Sequence, residues 1–430
     1  MKKILCCILA LLLCCSCAAL AEFDISSAAG TITVWSPAEG FNSFEGKSWT
    51  DFMAEYPDVK VELISLGTDD TFSKIKTTLA AGTPEDLPVL NLIYDPNNIE
   101  AMTWDGVWEV LNAEPYNLDT SKLLDFSLSQ ITNGKGEVVA LASGNTTMCL
   151  QFNRNIAREY FGTDDVEEIG AMFATLDDIM AKGKELAEKS NGEVFLFNCP
   201  EHVLRLGLGL TSDPFVVDGK LNIDESYGTA LKLVEQAIAD NSVSLQECWS
   251  PSWSAELQSD TCMFYLCPSW WLGDIKNNDP DAKGANKYGL ITLPDHMVAS
   301  WGGTFYFINA ASAPEDKAAA YAWMYWLCCT PEGSQNWVSN NSQLTLCKAL
   351  YDIDEVFAAG DDWYGGQPVS EMFRQTALEA TGSLRQGTIY DSAISNAANQ
   401  ALLEMMAGAT ADEALQQIKD TVLATYPELG

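Results

Sequence analysis

The sequence predicts an α/β protein of two lobes, each a mostly parallel sheet flanked by helices. At 430 residues the chain is longer than a single hydrophobic core usually grows, which favours two domains. Short apolar segments alternate with segments of helical periodicity after residue 22. The run LPVLNLIY (87–94) is apolar throughout, as expected of a strand that is covered on both faces. Strands alternating with helices in this way indicate a parallel sheet with helices on both sides.

The opening elements follow this order clearly. TITVW (31–35) is predicted to be a buried strand, and Trp49, Phe52 and Tyr56 then recur at helical spacing until Pro57 ends the helix. VKVELIS (59–65) is predicted to be the second strand.

Three helix starts carry capping signals. Thr175 precedes LDDIMAKGKELAEK, while Ser312 with Glu315 and Thr410 with Glu413 fit the capping-box spacing.

The composition excludes several classes of function. A formal net charge of -36 is incompatible with holding a nucleic acid backbone. The chain has two histidines and 13 cysteines, of which five fall in the first 17 residues and eight follow. No CxxC pair occurs among those eight, so we predict neither a metal site nor a cofactor. An even number permits disulfides without fixing any pairing.

The N-terminus predicts an exported protein. Lys2 and Lys3 precede an apolar run, and Ala19-Leu20-Ala21 provides small residues at alternate positions for a signal peptidase. We therefore predict a signal peptide over 1–21 and a location outside the cytoplasm. A retained membrane anchor and a lipid anchor at Cys17 are the alternatives.

Several sequence blocks together resemble the family-1 extracellular solute-binding proteins of ABC importers, the maltose-binding-like group. The blocks are ITVWS with FMAEYPDVKVELIS, TTLAAGTPEDLPVL, DGVWEVLN, LQFNRNIAREYFG, TLDDIMAKGKELAEK, TCMFYLCPSWW, YGLITLP, GGTFYFINAASAPEDKAAAYAWMYWL and MAGATADEALQQIKD. The resemblance implies a type II periplasmic-binding-protein-like fold with a ligand cleft between its lobes. It implies a first lobe of 22–144 plus 287–312, a second of 145–286 plus 313–430, and crossings near 143–147, 285–289 and 311–315.

Most candidate ligand contacts follow predicted strands or lie at a predicted crossing, since ligands of open α/β sheets bind beyond the carboxyl ends of strands. Trp301 and Gly302 are added because Gly302 and Gly303 let backbone approach closely, and Arg385 and Tyr390 because the last segment could close the cleft. The candidate contacts are Glu39, Phe41, Asn42, Tyr94, Asp95, Asn145, Glu201, Trp270, Trp301, Gly302, Arg385 and Tyr390. Each has an alternative role: a solvated loop, a turn, core packing or, for Arg385, a surface ion pair.

The adjacent Trp270 and Trp271 cannot both face the same way. We predict that Trp270 stacks on a ligand and that Trp271 packs inward. Loop tryptophans interleaved with polar residues suit the flat C–H faces and hydroxyls of a sugar.

These patterns and the resemblance predict a monomeric, non-enzymatic protein that captures a carbohydrate, expected to be an oligosaccharide, for a membrane permease. His202 has no recognisable partner for a role as a catalytic base. The alternatives are an extracellular glycosidase, a sensor or adhesin with the same fold, and a polyamine or peptide as ligand.

Overall fold

The computed structural model describes residues 22–36, 44–66, 68–144, 146–380 and 384–430. The predicted signal peptide, with the lipidation alternative at Cys17, lies outside these residues. Within them, no helix combines the length and the apolar character needed to cross a bilayer.

Eleven strands occur in the described chain and form two larger sheets and one hairpin. They are β1 (Gly30–Ser36), β2 (Val59–Ser65), β3 (Leu90–Tyr94), β4 (Leu141–Ala142), β5 (Met148–Asn153), β6 (Phe195–Phe197), β7 (Val216–Val217), β8 (Lys220–Leu221), β9 (Cys262–Pro268), β10 (Tyr288–Ile291) and β11 (Thr304–Ile308). The first sheet has the order β2-β1-β3-β11-β4 and the second β10-β5-β9-β6, while β7 pairs with β8.

The α-helices cover the faces of these sheets. They are Phe44–Glu55, Thr68–Ala80, Asn97–Ala101, Leu128–Ile131, Arg154–Ile156, Val166–Met172, Leu176–Lys189, Pro200–Leu208, Ser226–Ala239, Pro251–Glu256, Trp271–Asn278, Pro314–Cys329, Pro331–Asn341, Asp354–Ala358, Val369–Glu379, Asp391–Met406 and Ala411–Thr425. The α/β class predicted from the sequence is confirmed.

Both sheets are mixed rather than mostly parallel. In the first sheet β1 is parallel to β2 and β3, but β11 runs antiparallel to β3 and β4. In the second sheet only β6 and β9 are parallel, whereas β5 is antiparallel to both β9 and β10. An apolar run that is buried on both faces has the same appearance in either direction, so the sequence pattern did not show strand direction.

The structure divides the chain between its lobes differently from the sequence-based boundaries. β10 lies within the segment 287–312 assigned to the first lobe, but it pairs with β5 of the second sheet. Helix Pro314–Cys329, assigned to the second lobe, packs along β1, and the next helix, Pro331–Asn341, packs against Phe44–Glu55. Helical periodicity indicates that a helix has a buried face, but it does not indicate which sheet that face packs against. The sequence pattern of helix Pro314–Cys329 therefore did not show its lobe.

Two chain crossings run side by side between the sheets. The first leads from β4 to β5 and the second from β10 to β11, and Thr147 and Ser300 form an antiparallel bridge between them. The amide of Trp301 donates to the carbonyl of Thr146 at 3.0 Å. Gly303 has a φ of +133°, and a Cβ there would lie 3.2 Å from Cγ2 of Thr146. Glycine therefore allows the two crossings to approach this closely.

A third crossing follows the first-lobe helices. The turn Lys348–Asp352 still contacts Thr120–Lys122 of the first lobe, whereas the hydroxyl of Tyr364 donates to Oε1 of Gln151 on β5 at 2.6 Å. The chain thus returns to the second lobe between 352 and 364. The second and third crossings therefore lie later in the chain than the positions near 285–289 and 311–315 that the family resemblance implies.

Two of the three predicted helix caps are confirmed. Thr175 forms a capping box with Asp178, and Thr410 forms one with Glu413. The capping box predicted for Ser312 is wrong, because Ala313 is the N-cap and the helix begins at Pro314. Proline at the first helical position supplies the helical φ without needing a hydroxyl cap.

The cysteines of the described chain are buried. Cys199 and Cys248 form a disulfide. The other six are free and buried, as small apolar residues would be.

We expect Trp323→Ala to lower the free energy of unfolding by about 3–5 kcal/mol. Trp323 is fully buried and stacks on Trp49 with ring centroids 3.5 Å apart, so it fixes helix Pro314–Cys329 to the first lobe. Urea denaturation followed by circular dichroism measures the change. Leu378→Ala, at a side chain that is 54% exposed, is the control and should stay within about 0.5 kcal/mol of wild type. A loss below about 1 kcal/mol for Trp323→Ala contradicts this assignment to the first lobe.

Candidate ligand site between the lobes

A cavity of about 340 Å³ lies between the two lobes. The first lobe contributes the segment after β3 and the helix Leu128–Ile131. The second contributes the end of helix Pro200–Leu208, and the crossing before β11 forms the wall between them. The residues that line it are Asp95, Pro96, Asn98, Ile99, Ser129, Gln130, Met148, Arg205, Leu208, Gly209, Thr211, Phe215, Tyr227, Val298, Ala299, Ser300, Trp301, Gly302, Leu384, Arg385, Gly387, Asp391, Ser395, Asn396 and Asn399.

Arg205 is held over an aromatic ring at this cavity. Its Nε and Nη2 donate to Oε1 of Glu201, one helical turn earlier, at 2.8 and 2.6 Å. Its guanidinium lies 4.1 Å from the centroid of the Trp301 ring, a cation–π distance. Glu201 thus orients Arg205 and does not line the cavity itself.

Arg385 joins the C-terminal segment to the end of helix Pro200–Leu208. Its Nε donates to the carbonyl of Asp213, and its Nη2 donates to the carbonyls of Leu208 and Thr211, all at 2.8 Å. The guanidinium lies 4.0 Å from the ring centroid of Phe215. Because most of its donors are used by backbone carbonyls, Arg385 shapes this wall of the cavity.

Two carboxyl groups face these arginines. Burial raises the pKa of Asp95 to about 6, with Arg205 opposing the shift and Asp391 adding to it. Burial also raises the pKa of Asp391, which accepts a hydrogen bond from the hydroxyl of Thr388. The side chain of Asp95 remains accessible to solvent at the cavity.

Four of the twelve residues predicted from the sequence line the cavity: Asp95, Trp301, Gly302 and Arg385. Tyr94, Glu201, Trp270 and Tyr390 lie near it without lining it. The remaining four, Glu39, Phe41, Asn42 and Asn145, lie outside the described residues, and their roles stay predictions.

The tryptophan pair divides into a supporting ring and a core ring. Nε1 of Trp270 donates to the carbonyl of Trp301 at 2.8 Å, and the two rings meet edge to face at 5.6 Å. Trp270 is partly buried and supports Trp301 from outside the cavity. Trp271 is 2% exposed, so the inward packing predicted for it is confirmed.

Most of the second-lobe wall consists of residues that the sequence patterns did not indicate. Arg205, Phe215, Tyr227 and Asp391 all line the cavity. The spacing of Glu201 and Arg205, four residues apart on one helix, was a usable signal for an oriented guanidinium. Phe215 and Tyr227 resemble ordinary core residues in the sequence and become cavity residues only through tertiary packing.

Among the described residues, one group of possible metal ligands lies close together. Atoms of Cys199, His202 and Cys248 lie within 4.8 Å of one another. The disulfide occupies both sulfurs, which leaves the imidazole as the one available donor. Burial lowers the pKa of His202 to about 3, so the ring is neutral, and it packs edge to face on Trp301 at 5.7 Å.

The raised pKa of Asp95 predicts a pH-dependent difference between wild type and Asp95→Asn. Between the unfolded pKa of about 4 and the folded value of about 6, the native state binds more protons than the unfolded state. The contribution of this group to stability therefore falls as pH rises through that window. We expect the wild-type unfolding midpoint to fall relative to that of Asp95→Asn between about pH 4 and 6. If the unfolding midpoints of the two proteins change equally with pH over this window, the raised pKa of Asp95 is contradicted.

Comparisons with known proteins agree with this architecture. A family model described as bacterial extracellular solute-binding protein matches residues 47–362. The chain is 23% identical to a lactose-binding protein of Rhizobium radiobacter, over 91% of this chain and 92% of that protein.

Two solved structures share the two-lobed fold. The GacH receptor of Streptomyces glaucescens is 15% identical, with a TM-score of 0.71 over 94% of this chain and 99% of that one. The galacto-N-biose-/lacto-N-biose I-binding protein of Bifidobacterium longum is 16% identical, with a TM-score of 0.70 over 94% and 98%. The family model spans well over half of the sequence, and the chain therefore belongs to the bacterial extracellular solute-binding protein family.

Proposed function

We propose that the protein captures a short carbohydrate in the interlobe cavity and delivers it to the permease of an ABC importer. The observation that carries this proposal is the lining of the cavity. Trp301, Phe215 and Tyr227 supply aromatic surface beside the guanidinium and carboxyl groups. Aromatic faces with a few convergent hydrogen-bonding groups suit a sugar, which offers flat C–H faces and hydroxyls.

The charges in the cavity favour an uncharged ligand. Asp95 and Asp391 are balanced by Arg205 and Arg385. A polyamine would meet two guanidinium groups, and a phosphate ester would meet two carboxyl groups. The side-chain amides of Asn98, Gln130, Asn396 and Asn399 add neutral donors and acceptors for hydroxyls.

The relatives support a sugar of limited size. One curated relative is a lactose-binding protein, the GacH receptor was solved in complex with acarbose, and the Bifidobacterium protein, which belongs to an ABC transporter, was solved with lacto-N-biose. A cavity of about 340 Å³ is near the lower end of the range for ligand pockets, about 300–1,000 Å³. This size favours a disaccharide-sized portion of ligand inside the cavity.

Delivery to a permease requires movement between the lobes. The paired crossings that meet at Thr147 and Ser300 provide a short two-segment connection about which the lobes would hinge. We propose that a monomer acts after export directed by residues 1–21, with lipid attachment at Cys17 as an alternative to free release.

A glycosidase is the competing function, and one observation favours it. Asp95 and Asp391 both lie in the cavity, and each has a raised pKa. Glycosidases use a protonated acid and an ionised carboxylate that flank the scissile bond. Release of reducing sugar at catalytic turnover from lactose, maltose or a longer glycan is the result that would favour the enzyme over the binding protein.

In a thermal-shift screen against mono- and oligosaccharides, we expect the bound sugar to raise the unfolding midpoint of wild type. A ligand present at about 100 times its Kd adds about 2.7 kcal/mol to stability.

Arg205→Gln should weaken binding of the same sugar about 10- to 100-fold, because it removes charged hydrogen-bond donors and the cover of Trp301. Isothermal titration calorimetry measures the change.

Arg158→Gln is the matched control, since it makes the same substitution at a residue that does not line the cavity. Its affinity should equal that of wild type. The carbohydrate proposal is contradicted if a polyamine or a peptide raises the unfolding midpoint and no saccharide does. Equal affinities for Arg205→Gln and wild type contradict the assignment of the cavity as the site.

A further inference from the structure

We propose that Trp249 is an outer subsite on which a sugar unit stacks when it extends beyond the interlobe cavity. This inference rests on the proposed carbohydrate function and adds the length of the ligand to it. Trp249 is 52% exposed and is the one tryptophan among the large exposed hydrophobic residues of the described chain. It does not line the cavity, but it lies next to residues that do.

The position of Trp249 continues the aromatic wall of the cavity outward. Its ring centroid lies 5.9 Å from that of Trp301, which lines the cavity, and 5.9 Å from that of Trp270 in a stacked orientation of 29°. Trp253 and Trp271 contact it at 4.9 and 6.2 Å. Buried rings thus support one side of the indole while part of it faces solvent. A ligand long enough to extend past Trp301 would reach this surface, because the two rings are neighbours.

The backbone of Trp249 is held in a conformation that a bulky residue rarely adopts. Its φ is +69°, and six of the nine non-glycine residues with left-handed φ in the described chain are Asn or Asp. Asn and Asp enter this region at low cost because their short side chains bond locally, whereas a tryptophan gains no such bond. Unfavourable backbone conformations persist where surrounding structure imposes them, and they concentrate at ligand sites.

A covalent link holds the platform beside the cavity. Cys248, the residue before Trp249, is bonded to Cys199, the N-cap of helix Pro200–Leu208. Arg205 on that helix covers the Trp301 ring. The disulfide therefore joins the segment that carries Trp249 to the element that forms the cavity wall.

The neighbours of Trp249 suit a sugar better than an apolar partner. Glu247 and Ser252 are exposed polar residues on either side of it in the sequence. A sugar ring stacked on the indole can exchange hydrogen bonds with such groups at its rim. An isolated exposed indole with polar neighbours offers little contiguous apolar surface for docking a protein.

The test compares ligand lengths in wild type, Trp249→Gly and Trp249→Tyr by isothermal titration calorimetry. Lactose and maltose are the disaccharide probes, and raffinose and maltotriose are the trisaccharide probes. We expect Trp249→Gly to weaken trisaccharide binding roughly five- to tenfold and to leave disaccharide binding unchanged. Trp249→Tyr should recover part of the loss, since it restores an aromatic face.

Trp249→Gly is chosen because glycine adopts the left-handed φ readily, which offsets part of the packing lost against the neighbouring indoles, and a cooperative unfolding curve checks that the variant is folded. Leu245→Ala, at a 49% exposed residue on the same segment, should bind both lengths as wild type does. The inference alone is overturned if Trp249→Gly loses affinity equally for both ligand lengths, or for neither. It is also overturned if wild type binds disaccharides but no trisaccharide. A wild type that binds none of the four sugars contradicts the proposed function, and the inference fails with it.

Discussion

The contact between Arg205 and Trp301 is the interaction on which the candidate site depends. The guanidinium, 4.1 Å from the Trp301 ring centroid, connects a helix of the second lobe to the crossing that leads back to the first sheet. Glu201 fixes its orientation from one turn earlier, and Asp95 faces it from the first lobe, where its carboxyl interacts with the Arg205 charge. Opposite charges from separate lobes thus meet beside an aromatic ring. A ligand between them would replace water around groups that are already oriented, which lowers the cost of binding.

The architecture explains why this contact forms where it does. Asp95 directly follows β3, and β3 is central in the first sheet, between β1 and β11. The crossing before β11 brings Trp301 back beside Thr146, with the neighbouring Gly303 allowing the close approach. The sheet positions the carboxyl group and the paired crossings position the ring, so both are fixed before a ligand arrives. Relative motion of the lobes would change mainly the distance between Arg205 and the first-lobe groups.

The sequence predicted local structure better than it predicted tertiary partners. Thr175 and Thr410 were correct as caps because capping depends on residues within one turn. Asp95 was correctly expected at the cavity because it follows a strand of an α/β sheet, and Trp301 because the glycines after it let backbone approach closely. The lobe to which helix Pro314–Cys329 belongs depends on the stacking of Trp323 on Trp49, residues far apart in the chain. Phe215 and Tyr227 were missed for the same reason, since only tertiary packing turns an apolar position into a cavity wall.

A single ligand bound in the interlobe cavity would be held by both lobes at once. Hydrogen exchange measured by mass spectrometry, with and without the saccharide that gives the largest thermal shift, tests this claim directly. We expect the ligand to slow exchange together in 95–99, in 200–215 and in 298–302, which belong to the two lobes and the crossing. Protection confined to one lobe, or located away from all three segments, would contradict it.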